Sequence, residues 1–309
     1  MDKIKWAVCG LGRIADTFLN TAKLIDGMEV VACASSNKDR AVAFKEKYNL
    51  KHAYTYEELY ASKEFDACYV GTNMHLHCPN TLGLLANKIP VLCEKTFALN
   101  AAESHDMIKA AKDNDILLME AMWTRYLPAT QAVLDLVAGQ NITSVEGAFS
   151  FDVRDTPDSR VFKRELGGGS LLDVGVYLIA YLRWLLGTPQ KITATGEVSG
   201  GVDLNCRMEF HYPSASASVF SSIIGPPGRD LTINYQKGVI HIPNFWMATN
   251  FEVNTKKYSF EDIHGFVYQI RHFNDLLRGN KKESPLHTLN DTQEVMELIT
   301  RVQKQLGTL

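Results

Sequence analysis

The chain has 309 residues, 46% of them hydrophobic, a length and composition suited to two buried cores rather than one. A net charge of −3, with its 32 basic residues scattered, leaves no footprint for nucleic acid or an anionic membrane, so small molecules are the expected partners. No apolar run approaches the roughly 20 residues of a bilayer span, and the start "MDKIKWAVCG" has too short an apolar core for a secretory signal.

The six cysteines contain no C-x-x-C pair, which fits free thiols in a reducing cytoplasm rather than a disulfide scaffold. His75, His77 and Cys78 concentrate possible metal ligands, but no second cluster stands at zinc-like spacing, so no metal site is expected.

In chain order, "IKWAVCG" (4–10), "EVVACAS" (29–35), "DACYVG" (66–71), "IPVLCE" (89–94) and "DILLMEA" (115–121) read as strands. Between them "RIADTFLNTAKLI", "KDRAVAFKEKY", "CPNTLGLLANK" and "AAESHDMIKAAKD" carry apolar residues at helical spacing. Strands alternating with helices predict a doubly wound α/β domain over 1–121, a parallel sheet covered on both faces. After residue 121 the texture changes. "WTRYLPATQAVLDLVAG" reads as a loop and helix, "SVEGAFSFDV" as a strand, and "LGGGS" precedes the apolar helix 171–186. Strand-like runs "KITATGEVSG", "NCRMEFHY", "SASVFSSIIG" and "GVIHIP" follow, then two helical segments, "GFVYQIRHFNDLLRGN" and "TLNDTQEVMELITRVQKQLG". Residues 122–309 therefore read as a second α/β domain on an antiparallel or mixed sheet.

"CGLGRIA" sets Gly10, Gly12 and Ala15 in a G-x-G-x-x-A pattern. Glycines there permit a tight turn and let the backbone approach a pyrophosphate at the positive end of a helix. The pattern alone is weak, but a strand before it, a helix after it and a second strand about 20 residues on are the context dinucleotide binding requires. Gly10, Gly12, Arg13 and Ile14 are thus expected at the cofactor; the alternative is a tight turn in a similar domain that binds something else. At the tip of the second strand, "CASSNKDRA" offers Ser35 and Ser36 with Arg40 beyond, and no acidic residue to hold a ribose. Asp39 reads as a charge in the opening turn of the next helix. Ser36 and Arg40 suit the 2′-phosphate of NADP better than the bare ribose of NAD; Lys38 reads equally as a solvated helix face.

Ligands of a doubly wound sheet bind at the carboxyl ends of its strands. Thr72, Asn73, His75, His77, Glu94 and Lys95 follow strands and should face that crevice. For Lys95, position alone leaves two readings, a solvated strand tip and a functional cation. The helix 171–186 is apolar nearly all round yet carries Asp173, a costly place for a carboxylate unless it is paired. Tyr177 lies four residues on, along the same face. The bland reading makes Asp173 a helix cap and Tyr177 packing, although Ser170 is already available as the cap.

Together "GLGRIA", "GTNMHLH", "CEKT", "MEAMWTRYLP" and "GGGSLLDVGVY" resemble the superfamily of glucose-fructose oxidoreductase, inositol dehydrogenase and rhizopine-catabolism proteins, Gfo/Idh/MocA. Within it the chain looks most like the dimeric dihydrodiol dehydrogenase branch. The resemblance implies a Rossmann domain followed by an α/β domain on a large open sheet that commonly forms a dimer interface. It implies reversible hydride transfer between nicotinamide and a carbon bearing a hydroxyl or carbonyl, as in a sugar, polyol or dihydrodiol; the preference for NADP rests on Ser36 and Arg40. By motif, Lys95 is the catalytic lysine, Asp173 opens the D-x-G motif, and Tyr177 holds a position where many relatives have histidine. Tyr177 would act as base if a nearby cation lowered its pKa, normally about 10. Lys95 would supply that cation and stabilise alkoxide charge, with Asp173 orienting Lys95 or a sugar hydroxyl.

Trp123 and Arg125, at the domain junction, are expected either to shape the substrate pocket or to pack the hinge, and His77 either to contact substrate or to start a helix. Thr96 departs from the family, where proline usually follows the lysine and would rigidify the turn. A rival reading is a dinucleotide-binding regulator that kept the fold and lost catalysis; a methyltransferase with a similar glycine turn is disfavoured by the missing acidic residue after the second strand.

Overall fold

The structure, a computed structural model, describes residues 2–309. It begins with β1 (Ile4–Cys9), α1 (Arg13–Ala22), β2 (Met28–Ala34), α2 (Lys38–Tyr48), β3 (His52–Tyr54), α3 (Tyr56–Ala61), β4 (Ala67–Val70), α4 (His77–Ala86), β5 (Val91–Glu94), α5 (Ala101–Asn114) and β6 (Leu118–Ala121). There follow α6 (Pro128–Val137), β7 (Ile142–Asp152), α7 (Val176–Leu186), β8 (Lys191–Thr195), β9 (Val198–Ser199), β10 (Val202–Asp203), β11 (Asn205–His211) and β12 (Ser216–Ser222). The chain closes with β13 (Ile224–Gly228), β14 (Leu231–Tyr235), β15 (Gly238–Ile242), β16 (Asn250–Val253), β17 (Lys256–Ser259), α8 (Phe266–Arg278) and α9 (Leu289–Leu306). Two compact units result: Met1–Ala98 with Ala102–Trp123 and His264–Thr292, and Leu99–Ala101 with Thr124–Ile263 and Gln293–Leu309.

The first unit is built on a six-stranded sheet in the order β3-β2-β1-β4-β5-β6, all neighbours parallel. The order reverses direction between β1 and β4, which opens a crevice at the carboxyl ends of those strands. Strands covered on both faces need continuous apolar runs, and β4, β5 and β6 are buried at every position. Trp6 is fully buried; its ring lies 4.9 Å from Phe273 of α8, and its indole N–H donates to Asn274 Oδ1 at 3.1 Å. That hydrogen bond offsets the cost of burying a donor, and it ties a helix from late in the chain to β1. Strand β3 and helix α3 were not anticipated from the sequence. At three and six residues they are too short for a period to show.

The second unit is built on a nine-stranded sheet, β17-β16-β15-β14-β7-β12-β11-β8, with β13 also paired to β7. At its centre β7 runs parallel to β12 and antiparallel to β14, so the sheet is mixed, as expected. Helix α7 is buried at every position from Val176 to Leu182, which accounts for its lack of a polar face. The expectation that no stretch reaches spanning length is revised: Arg164–Leu186 passes by length and composition, but 78% of its most apolar window is buried within the protein.

Candidate functional site

In the first unit the glycine turn separates two physical roles. Gly10 has φ +92°, and a Cβ there would stand 2.6 Å from the Thr72 backbone nitrogen, so β1 and the loop after β4 approach as closely as glycine alone allows. Gly12, at the amino end of α1, has φ −89° and would meet nothing within 4 Å. No side chain caps α1. Its first-turn N–H groups, with exposed Arg13 and half-buried Ile14 beside them, therefore open onto a space suited to an anion. Two polar atoms on the same edge, Thr72 Oγ1 and His75 Nδ1, are buried with no hydrogen-bond partner. A cradle that excludes nothing at Gly12, flanked by orphaned polar atoms, fits a dinucleotide.

At the second strand's tip, Ser35 is buried and accepts the Asn37 N–H at 3.2 Å, while Ser36 is exposed. Asn37 caps α2 by accepting the Arg40 N–H at 3.0 Å. The Arg40 guanidinium reaches back to the Leu11 carbonyl at 3.5 Å, which brings a cation beside the glycine turn. Lys38 goes elsewhere, onto Glu58 and the Ala53 carbonyl.

Lys95 follows β5, half-buried, and its backbone N–H donates to Glu94 Oε2 at 3.2 Å. Glu94 is 6% exposed and accepts the Tyr69 hydroxyl at 2.6 Å; Tyr69 in turn stacks on Phe18 of α1 with ring centroids 4.1 Å apart. Burial drives the Glu94 carboxyl up to about 7, against the Tyr69 hydrogen bond, the Lys95 charge and the Lys95 N–H, which favour its ionised form. The Lys95–Thr96 peptide is cis. His77 is 2% exposed, with Nδ1 2.9 Å from the Thr96 carbonyl oxygen and Nε2 3.1 Å from that of Thr72, so its ring ties the loops after β4 and β5 together. Asn73 is exposed beside it. Trp123 is 9% exposed, stacked on His264 at 5.5 Å and edge-on to Phe266 at 5.5 Å.

In the second unit, Asp173 lies in a π-helical turn, Leu171–Gly175, that leads into α7, and Tyr177 is 5% exposed with its ring 5.5 Å from Phe149. Neither Asp173 nor Ser170 caps this helix. The Leu171 N–H donates to Asp203 Oδ2 at 2.7 Å, and the Ser170 hydroxyl donates to the same oxygen at 2.6 Å. Burial raises the Asp203 carboxyl to about 6 despite those bonds. The cap thus comes from a strand 32 residues downstream of Leu171, where no local pattern marks it. Asp173 pairs with Arg160, a second residue missed from the sequence. The half-buried Arg125 places its guanidinium 5.5 Å from the Trp184 ring centre. Among the described residues no three His, Cys, Asp or Glu side chains gather as a metal-binding group.

Residues 4–122 match the family model described as "Oxidoreductase family, NAD-binding Rossmann fold", and residues 133–241 match "GFO/IDH/MocA C-terminal domain". Among curated relatives, the trans-1,2-dihydrobenzene-1,2-diol dehydrogenase of Xenopus tropicalis is 31% identical, with 98% of each chain covered. That of Homo sapiens is 28% identical over 98% of this chain and 97% of its own. Among solved structures, a point mutant of a 3-ketoreductase from Actinomadura kijaniata with NADP superposes with TM-score 0.89 at 20% identity, covering 99% of this chain and 98% of its own. A levoglucosan dehydrogenase with NADH gives TM-score 0.87 at 16% identity, covering 99% and 97%.

Proposed function

The chain belongs to the GFO/IDH/MocA oxidoreductases, and on that premise we propose that it is an NADP-preferring dehydrogenase of vicinal diols, whose substrate is a trans-dihydrodiol, sugar or related polyol. It is an oxidoreductase that exchanges hydride between a nicotinamide dinucleotide and a carbon bearing a hydroxyl. The observation that carries the finer reading is Lys95 at the end of β5, on a turn held by buried Glu94 and His77. The diol class is supported by full-length similarity to dehydrogenases named for a dihydrodiol.

When bound, the dinucleotide supplies the hydride acceptor at its nicotinamide ring. Gly10, Gly12, Arg13 and Ile14 hold its pyrophosphate at the amino end of α1. Ser35, Ser36 and Arg40 receive the adenosine ribose, with the exposed Ser36 and the Arg40 guanidinium on its 2′-phosphate; Arg40 beside the Leu11 carbonyl supports NADP over NAD. Thr72, Asn73, His75 and Glu94 line the nicotinamide end. Tyr177 takes the hydroxyl proton, Lys95 stabilises the negative charge that develops on the substrate oxygen, and Asp173 accepts a neighbouring hydroxyl. Trp123 and Arg125 border the substrate. His77, with both ring nitrogens on backbone carbonyls, supports the Lys95 turn. The chain acts in the cytoplasm, supported by six free and buried cysteines, as a homodimer through the second unit's sheet.

The test is Lys95→Met assayed with NADP and NAD against trans-1,2-dihydrobenzene-1,2-diol, levoglucosan and aldoses. The variant is expected to lose about three orders of magnitude in kcat, roughly 4 kcal/mol of transition-state stabilisation, while its NADP affinity stays within about threefold of wild type. Near-normal turnover sinks the assignment of Lys95. Tight NADP binding by the wild type with no turnover across the panel replaces the enzyme with the regulator.

A further inference from the structure

Asp173 is paired with a residue that no motif marks. Arg160 Nη2 donates to Asp173 Oδ1 at 2.6 Å from a 3-10 turn, Arg160–Phe162. The glycine run docks that turn. The Gly169 N–H donates to the Val161 carbonyl at 2.8 Å, and the Gly168 N–H to the Lys163 carbonyl at 3.0 Å. A Cβ on Gly168 would stand 2.5 Å from the Val161 carbonyl oxygen and 2.9 Å from that of Lys163, so only glycine permits the approach. Val161, 5% exposed, anchors the turn from its apolar side. The run is therefore a seat for the turn that carries Arg160, which fixes the guanidinium over Asp173.

The pair is not sealed in the core. The Arg160 side chain is 41% exposed and that of Asp173 is 11%. A guanidinium carries five N–H donors in a rigid fork, and its bond to Asp173 uses only one. Side by side, a donor and an acceptor match one hydroxyl group: the carboxylate takes its O–H, and the guanidinium donates to its oxygen. Tyr177 stands four residues beyond Asp173, across the junction of the π-helical turn Leu171–Gly175 with α7, so the two side chains leave the helix roughly one turn apart, a separation that two oxygens on adjacent carbons and their hydrogen bonds span.

We propose that Arg160 and Asp173 together read the second hydroxyl of a vicinal diol while Tyr177 acts on the first, which makes Arg160 a specificity-determining residue. This rests on the dehydrogenase reading of Tyr177 above. A monohydroxy alcohol leaves the pair facing carbon, a mismatch that sites built for a hydroxyl reject strongly; partial exposure lets water soften the penalty.

The experiment compares trans-cyclohexane-1,2-diol, trans-2-methoxycyclohexanol and cyclohexanol, by kcat/KM with NADP or by competitive inhibition where a compound is not turned over. Wild type is expected to favour the diol over cyclohexanol by about 10²-fold, with the ether between them because it accepts but does not donate. Arg160→Ala is expected to cut the diol-to-cyclohexanol ratio about tenfold and to erase the ether's advantage, and Arg160→Lys to restore part of both. A folded Arg160→Ala enzyme with wild-type ratios overturns the proposal and leaves the dehydrogenase reading standing. A wild type that binds NADP yet neither oxidises nor binds any diol brings down that reading and the proposal with it. Should Arg160→Ala not fold, Arg160→Gln and Arg160→Lys carry the same comparison.

Discussion

Replacing Glu94 by glutamine isolates the cost of keeping a carboxylate beneath the Lys95 turn. Burial lifts this carboxyl from its ordinary 4.5 to about 7, although the Tyr69 hydroxyl and the Lys95 N–H both donate to it. A rise of that size corresponds to about 3 kcal/mol at 1.36 kcal/mol per pH unit, taken as an order of magnitude. Because the folded-state pKa is raised, the stabilising contribution is fully present below about pH 4.5 and is lost as pH rises through about 7. Glutamine keeps the shape, cannot ionise, and accepts from only one of the two donors well, a pH-independent cost of about 1 kcal/mol. The stability gap between variant and wild type should therefore move in the variant's favour by about 2.5 kcal/mol from pH 5 to pH 8, since part of the change is already complete at pH 5. Two compact units make global unfolding a poor readout, so the assay is hydrogen exchange at the Leu92 and Cys93 amides of β5, corrected for intrinsic rates, at several pH values. Parallel pH profiles for the two proteins refute the reasoning.

How much of this was legible in the sequence depends on whether a residue's partner is local. The alternation of apolar runs with helical spacing predicts the parallel sheet, because those periods are set by each element's own burial. The doubly wound domain and the mixed second sheet are both present as expected. Gly10 is legible because its G-x-G-x-x-A pattern is local, although the Thr72 backbone that also demands a glycine there is not. Strands β14, β16 and β17 were not foreseen, since "LTINY", "NFEV" and "KKYS" alternate over only four or five residues. Asp203 capping the helix that starts at Leu171, and Arg160 pairing with Asp173, were invisible because tertiary structure chose their partners. The apolar helix did signal that Asp173 needed compensation; what it did not carry was the source of the charge. No local pattern marks the glycine run 167–169 as a docking seat, because that use depends on the Val161 carbonyl, which the fold brings against it.

Two further outcomes separate cofactor recognition from folding. Arg40→Ala should weaken NADP binding about tenfold and leave NAD binding within about twofold, as measured by titration calorimetry; equal losses for both dinucleotides would detach Arg40 from the 2′-phosphate. The glycine turn offers the sharper contrast, because Gly10 and Gly12 differ in what a methyl group would meet. At Gly10 it would meet the Thr72 backbone at 2.6 Å in a left-handed conformation, so Gly10→Ala should destabilise the first unit by several kcal/mol, well beyond the ordinary cost of a positive φ. At Gly12 it would meet no protein atom within 4 Å and no strained dihedral, so Gly12→Ala should change stability by less than about 1 kcal/mol, the difference between glycine and alanine at a helix amino end. The methyl would instead fill the space where backbone and pyrophosphate approach, and dinucleotide affinity should fall tenfold or more, about 1.4 kcal/mol at least. Wild-type affinity in Gly12→Ala would mean that the open space above α1 is not where the cofactor lies.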